Sequence, residues 1–243
     1  YHDLRYDRIG KIKNLIIPSF IIFIPFLLVL IQPDLGTSIM ILLLGLSIMF
    51  IAGVRLWKFF LGLVISLIAM PLIWNNLKPY QHKRILVFLN PESDPLGTGY
   101  HLTQSKIALG SGGITGKGYL QGTQSYLEYL PEKQTDFIFT LIGEEFGFIG
   151  TIFVLILFLL IIFLSYYISY KSNNVFGRIL SVGIALNLFL YVFSNTSMVT
   201  GLIPVVGVPL PLISYGGTAM LAVMISFGLL MNVAVHSHLK KLN

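Results

Sequence analysis

Between residues 129 and 145 the chain reads YLPEKQTDFIFTLIGEE, and five of its ten carboxylates, Glu128, Glu132, Asp136, Glu144 and Glu145, stand at or beside this stretch. Carboxylates next to an apolar run suit three kinds of work: taking a proton from a hydroxyl, binding a cation, or carrying protons and ions along a membrane path. Asp136 has two readings. Thr135 or Asp136 could cap a helix beginning near Phe137. Partly desolvated and close to Glu128, Asp136 could instead act as a general base. With a helix start at Phe137, Glu144 and Glu145 fall about 10 to 12 Å along it, where a buried carboxylate is costly unless partnered or hydrated. The stretch is therefore expected to form a short helix at the outer interface or lining a cavity, with the true span starting near Gly147 and no role assigned to Glu144 or Glu145.

Other residues with chemistry to offer are spread more thinly. Asp34, in QPDLGTS, is suited both to capping a helix that starts after it and to acting as a charge at a membrane edge. Arg84, beside His82 and Lys83, either snorkels to lipid headgroups or captures a lipid diphosphate, which a planar guanidinium fits well. The glycine stretch GSGGITGKGYLQG at 110–122 invites a phosphate-loop reading. A Walker A motif would need Gly where Ser111 stands and Ser or Thr where Gly118 stands, so an ordered turn at the membrane surface fits better, with Lys117 available to a lipid-linked phosphate. The five histidines have no metal-ligand spacing,. A divalent cation such as Mg²⁺ or Mn²⁺, shared between carboxylates and a substrate diphosphate, stays open.

The elements that must position these groups are membrane helices. The chain has 243 residues, 55% hydrophobic and only 11% charged, with a strongly positive mean hydropathy. A soluble domain with a charged surface does not have that balance. Apolar runs recur near the roughly 20-residue length that crosses a hydrocarbon core, at 14–31, 35–53, 58–74, 147–168, 179–200 and 213–235. The fold class expected is an all-α polytopic membrane protein with six transmembrane helices in a single domain over 1–243. The formal charge of +6 is scattered in short clusters with no aromatic-interleaved basic face, which argues against nucleic acid as a partner. Arg5/Arg8/Lys11/Lys13, Arg55/Lys58, Lys171/Arg178 and Lys240/Lys241 fall in alternate connections, marking that side as cytoplasmic. The segment 75–146 then faces outward. It is far longer than the usual ~2–8 residue connection of a bundle and is where an active site is expected. The chain opens on a polar stretch without an initiator Met, so a fragment of a longer protein is expected.

The stretch NPESDPLGTGYHLTQSKIALGSGGITGKGYLQGTQSYLEYLPEKQTDFIFTLIGEEFG, together with QPDLGTS and GLIPVVGVPLPLISYGG, resembles the RodA/FtsW/SpoVE (SEDS) family of shape, elongation, division and sporulation proteins, over nearly the whole chain. The resemblance implies a ten-helix fold, of which these six would be helices five to ten. It implies a peptidoglycan glycosyltransferase of the bacterial inner membrane, polymerising lipid II. By motif, Asp136 of TDFIF matches the family's essential catalytic Asp, Glu128 of LEYLPE an acid of the same cavity, and Asp34 of QPDLGT another acid important for activity. Arg84, Lys117 and Gln104 occupy motif positions in the loop and are inferred to meet substrate. PESDPLG, GTQS and Val205-Val206 resemble the elongation branch; the division branch typically has Thr-Lys at the latter pair. That branch implies a class B penicillin-binding transpeptidase and other elongation-complex proteins as partners.

The expected chemistry is inverting transfer, with Asp136 deprotonating the acceptor's 4-hydroxyl as undecaprenyl diphosphate leaves the donor. Two rival readings are a lipid-linked precursor flippase and a scaffold that only recruits the transpeptidase. Transport would place acids deep within several spans, whereas nearly all acids here fall at or outside the outer face.

Overall fold

The computed structural model describes residues 12–32, 34–76, 81–82, 86–88, 90, 94, 97–123 and 134–239. Its helices are α1 (Ile12–Ile31), α2 (Leu35–Ile51), α3 (Leu56–Asn76), α4 (Thr98–Ser111), α5 (Ile138–Lys171), α6 (Val175–Thr200) and α7 (Gly217–Leu239), and no strand occurs among the described residues. Windows in α1, α5, α6 and α7 are long and apolar enough to cross a membrane. Two shorter apolar helices, Leu35–Ile51 and Leu56–Ile68, accompany them. At about 1.5 Å per residue α2 reaches about 25 Å of a roughly 30 Å core. The chain is a multi-pass membrane protein, and its broad bands of exposed Ile, Leu and Phe on α1, α3, α5 and α7 are what a lipid-facing surface requires,.

Packing follows the small residues. The buried face of α6 carries Gly177, Ser181, Gly183 and Ala185, which let neighbouring backbones approach,. At Gly45 of α2 a Cβ would collide with the Ile22 side chain of α1 at 2.6 Å. A hydrophobic core of Phe137, Phe139, Phe158, Leu188, Val192, Met198, Val199 and Leu210 joins α5, α6 and the connection that follows α6. That connection, 201–216, begins at Gly201, a left-handed C-cap (φ 77°) whose N–H donates to Met198 O at 3.0 Å,.

The helix α5 is interrupted. Gly147 has φ 66° and ψ −161°, outside helical geometry. The uninterrupted part, 148–171, spans about 36 Å at about 1.5 Å per residue, enough to cross the core. The preceding turns, 138–146, form a separate helical segment. This is the short helix followed by a span near Gly147 that the sequence suggests.

A break normally orphans the carbonyls before it and the amides after it, and within a bilayer those groups must find partners. The glycine stretch supplies them. Lys117 N donates to Glu144 O and Gly118 N to Glu145 O, both at 3.0 Å. In return Phe148 N donates to Gly113 O at 2.9 Å and Ile149 N to Ile114 O at 3.1 Å. These are the carbonyls and amides that would have bonded each other in a continuous helix. The loop is thus spliced into α5, four loop bonds standing in for the two helical ones. Such contact leaves no room for side chains: a Cβ at Gly116 would strike Glu145 O, and one at Gly147 would strike Gly116 N.

Candidate functional site

Asp136 sits in a turn, 134–137, directly before α5. The N-cap of α5 is Phe137, which makes no side-chain capping bond, so neither Thr135 nor Asp136 occupies the capping position that the sequence allowed them. Three consecutive carbonyls of this turn are each taken by a donor from another part of the fold. Tyr215 N donates to Gln134 O at 2.9 Å, Ser214 Oγ to Thr135 O at 2.7 Å, and Asn195 Nδ2 to Asp136 O at 2.8 Å. The turn is held through its backbone by α6 and by the 201–216 connection.

The half-buried Asp136 carboxylate lies over that connection. Its Oδ2 stands 3.4 Å from where a Cβ would project at Gly207, whose φ is 72°. The connection is itself pinned. Ser214 Oγ accepts from Leu210 N at 2.7 Å, Ser214 N donates to Leu210 O at 2.9 Å, and Leu212 between them holds a left-handed φ of 67°. Asn195 Nδ2 also donates to Val208 O at 2.8 Å.

Asp34 approaches the same connection from the other side. A Cβ at Gly36 would strike Val206 O, so the start of α2 is seated on the segment that passes beneath Asp136. Asp34 is the N-cap of α2, accepting from Thr37 N at 3.0 Å and Thr37 Oγ1 at 2.6 Å. The capping reading of Asp34 is therefore realised, and the charge also lies within electrostatic reach of Tyr191 on α6.

Lys117 and Glu144 meet. Lys117 Nζ donates to Glu144 Oε1 at 2.8 Å and to Thr123 Oγ1 at 2.7 Å. Glu144 is fully buried, and a Cβ at Gly122 would come within 2.8 Å of its Oε2. This buried ion pair closes the spliced loop and gives both residues a structural account. Gln104 is half-buried on α4 next to Ser105, whose hydroxyl bonds Thr140 Oγ1 at 2.7 Å and donates to Val199 O at 2.9 Å, tying α4 to α5 and α6. His101, also on α4, has its ring 6.4 Å from that of Phe137. Glu128 and Arg84 lie outside the described residues. No group of three or more His, Asp or Glu side chains suited to a metal occurs among the described residues.

The structure thus sets Asp136 and the start of α2, with Asp34, against the 201–216 connection, and ties Lys117 and α4, which carries Gln104, to α5. Sequence reasoning missed Asn195, Ser214, Ser105 and the partner of Glu144. A signal existed for Asn195, since an amide within an apolar membrane helix is costly and asks for a reason. A half-buried carboxylate on a backbone-locked turn is suited to accepting a proton from a hydroxyl brought to it.

The chain is 49% identical over 236 residues to the peptidoglycan glycosyltransferase MrdB of Escherichia coli K12, covering 96% of this chain and 63% of that protein. It is 40% identical over 235 residues to the stage V sporulation protein E of Bacillus subtilis, with the same coverage of 96% and 63%. It therefore spans about 63% of the length of these relatives. Among solved structures, one described as structural coordination of polymerization and crosslinking by a peptidoglycan synthase complex superposes with a TM-score of 0.77 at 28% identity, over 93% of this chain and 62% of that one. The rod shape determining protein RodA of Thermus thermophilus shares the fold, with a TM-score of 0.61 at 22% identity, over 94% of this chain and 61% of that one. A family profile described as cell cycle protein matches residues 6–239. The chain belongs to the FtsW/RodA/SpoVE family of cell cycle proteins.

Proposed function

We propose that this chain carries the active site of a peptidoglycan glycosyltransferase that polymerises lipid II on the outer face of the bacterial inner membrane during cell elongation. The observation that carries the reading is the Asp136 turn. Its three carbonyls are tied to α6 and the 201–216 connection, while its half-buried carboxylate lies over Gly207. The names of the relatives add support, since MrdB is called a peptidoglycan glycosyltransferase.

In the proposed reaction Asp136 accepts the proton of the acceptor GlcNAc 4-hydroxyl as that oxygen attacks the anomeric carbon of the donor MurNAc. The bond from that carbon to undecaprenyl diphosphate breaks, the configuration inverts, and the diphosphate leaves with the bonding electron pair. Preorganisation matters here because a base that need not move at the moment of transfer loses less of its advantage to reorganisation. Glu128 and Asp34 are proposed as further acids of the site, and Arg84, Lys117 and Gln104 as substrate contacts. For Lys117 that role would act through the loop it closes with Glu144, since its ammonium is engaged there. A divalent cation, where one takes part, would be held by the oxygens of the substrate diphosphate. A class B penicillin-binding transpeptidase is the proposed partner, with 75–146 extracytoplasmic.

The test is lipid II polymerisation by the complete gene product with its transpeptidase. Asp136→Asn is expected to lower the rate about 10²- to 10⁴-fold, the usual worth of a positioned base, with unchanged thermal unfolding. Substantial glycan synthesis by a folded Asp136→Asn protein would rule out the base assignment and favour the scaffold. Transbilayer movement of lipid II without polymerisation would favour the flippase.

A further inference from the structure

We infer that Asn195 is a positioning residue for Asp136, holding both the backbone from which the carboxylate hangs and the floor on which it lies. The inference rests on the reading of Asp136 as the general base. Asn195 is fully buried in α6. Its single Nδ2 donates to Asp136 O and to Val208 O, each at 2.8 Å. Val208 follows Gly207, the residue beneath Asp136 Oδ2. One amide nitrogen therefore sets the separation between the base and its support.

The energetics of the site argue that geometry is what the amide supplies. Asn195 Oδ1 is buried and makes no hydrogen bond among the described residues. An unmet buried acceptor offsets part of what the two donated bonds contribute. An aliphatic side chain of similar volume would avoid that penalty while leaving two carbonyls without this donor. The amide therefore adds less to stability than two donated bonds with a satisfied acceptor would. What it does for Asp136 is positional, because one nitrogen joins the carbonyls of Asp136 and Val208.

The neighbouring ties do not replace it. Ser214 and Tyr215 hold Thr135 and Gln134, which lie upstream of Asp136. Past Asp136 the chain turns into α5, where Phe137 O is engaged by Thr140 N and Leu141 N. Loss of the Asn195 bonds would take from Asp136 O and Val208 O the donor that links them.

The experiment compares Asn195→Leu and the isosteric Asn195→Asp with the unaltered sequence, in the complete gene product with its transpeptidase, at matched amounts of folded protein. Expected for Asn195→Leu is a fall in kcat of about 10- to 100-fold, the scale of loss for a misplacement near 1 Å. KM for lipid II should stay within about twofold, since transition-state geometry rather than uniform binding is altered. The base limb of the pH–rate profile should shift. The added loss from Asp136→Glu should be smaller in the Asn195→Leu background than alone, because both changes displace the same carboxylate. Should Asn195→Leu fail to fold, Asn195→Asp, which keeps the volume and can donate to one carbonyl only when protonated, is expected to show a loss of the same kind. The inference is overturned if folded Asn195 variants keep full kcat, or if their loss only tracks the amount of folded protein with an unchanged pH profile and full additivity with Asp136→Glu. Asp136→Asn is measured alongside. Activity retained there removes the base reading itself, whereas an inactive Asp136→Asn beside a fully active Asn195→Leu removes this inference alone.

Discussion

Asp136 and Glu144 belong to one acidic stretch, and the fold uses them in opposite ways. Glu144 is fully buried, with Lys117 Nζ at 2.8 Å and Thr123 Oγ1 at 3.2 Å from its Oε1. Its backbone carbonyl accepts from the same lysine's amide. It is a structural charge, closing a loop that repairs a broken membrane helix. Asp136 is half-buried and held by its main chain, with donors from α6 and the 201–216 connection on three successive carbonyls. The lesson is about division of labour. A carboxylate that locks a fold is neutralised by a cation and wrapped, whereas one that is to accept a proton is fixed through its peptide and left within reach of solvent. A buried ion pair is costly to break from one side, so the Glu144 region should respond in stability and the Asp136 region in rate.

That contrast can be broken in several places. Asp136→Asn gives the largest change in activity and the smallest in stability, and a large drop in its unfolding temperature would show that Asp136 is structural after all. Lys117→Met should reverse the pattern, costing about 3–5 kcal/mol by stranding the buried Glu144 charge, and Glu144→Gln should cost less, since the half-buried Lys117 can turn its ammonium to solvent,. Thermal unfolding in detergent measures this. Replacing both together with Glu144→Leu and Lys117→Met should recover part of the loss, and no recovery would argue against the pair. Next in size is Gly147→Ala. A side chain at φ 66° that also meets Gly116 N should cost at least about 1–3 kcal/mol and open the splice to hydrogen exchange at Lys117, Gly118, Phe148 and Ile149. Protection unchanged at those amides would refute the splice.

Asp34 offers the smallest and sharpest comparison. It caps α2 through Thr37, and Asn caps about as well as Asp. Asp34→Asn should therefore leave stability within about 0.5 kcal/mol, while Asp34→Ala costs about 0.5–2 kcal/mol. If the charge itself serves the site, as proposed, polymerisation by Asp34→Asn falls with the cap intact. Full activity in that variant would leave Asp34 as a cap alone.

The expected spans 14–31 and 35–53 correspond to α1, Ile12–Ile31, and α2, Leu35–Ile51, and the break near 147 falls at Gly147. Hydropathy finds such elements because a bilayer admits few structures without internally satisfied backbones, so long apolar runs have little choice. The cost of burying Glu144 was also legible, but not its partner. Lys117 looked available for a phosphate because its sequence neighbours are glycines. Those glycines are instead the clearance that lets the loop lie against Glu144 and Glu145.

By itself the sequence determined the class of the protein, the order and approximate limits of its helices, and the gathering of acid just before the long apolar run of α5, since hydrophobicity and charge act locally and can be read in order. The tertiary structure alone decided that Glu144 is a lock and that Asn195 and Ser214 hold the turn of Asp136. Each of those roles depends on a hydrogen bond or ion pair whose partner and direction are fixed only when the folded chain brings the two groups within about 3 Å of one another.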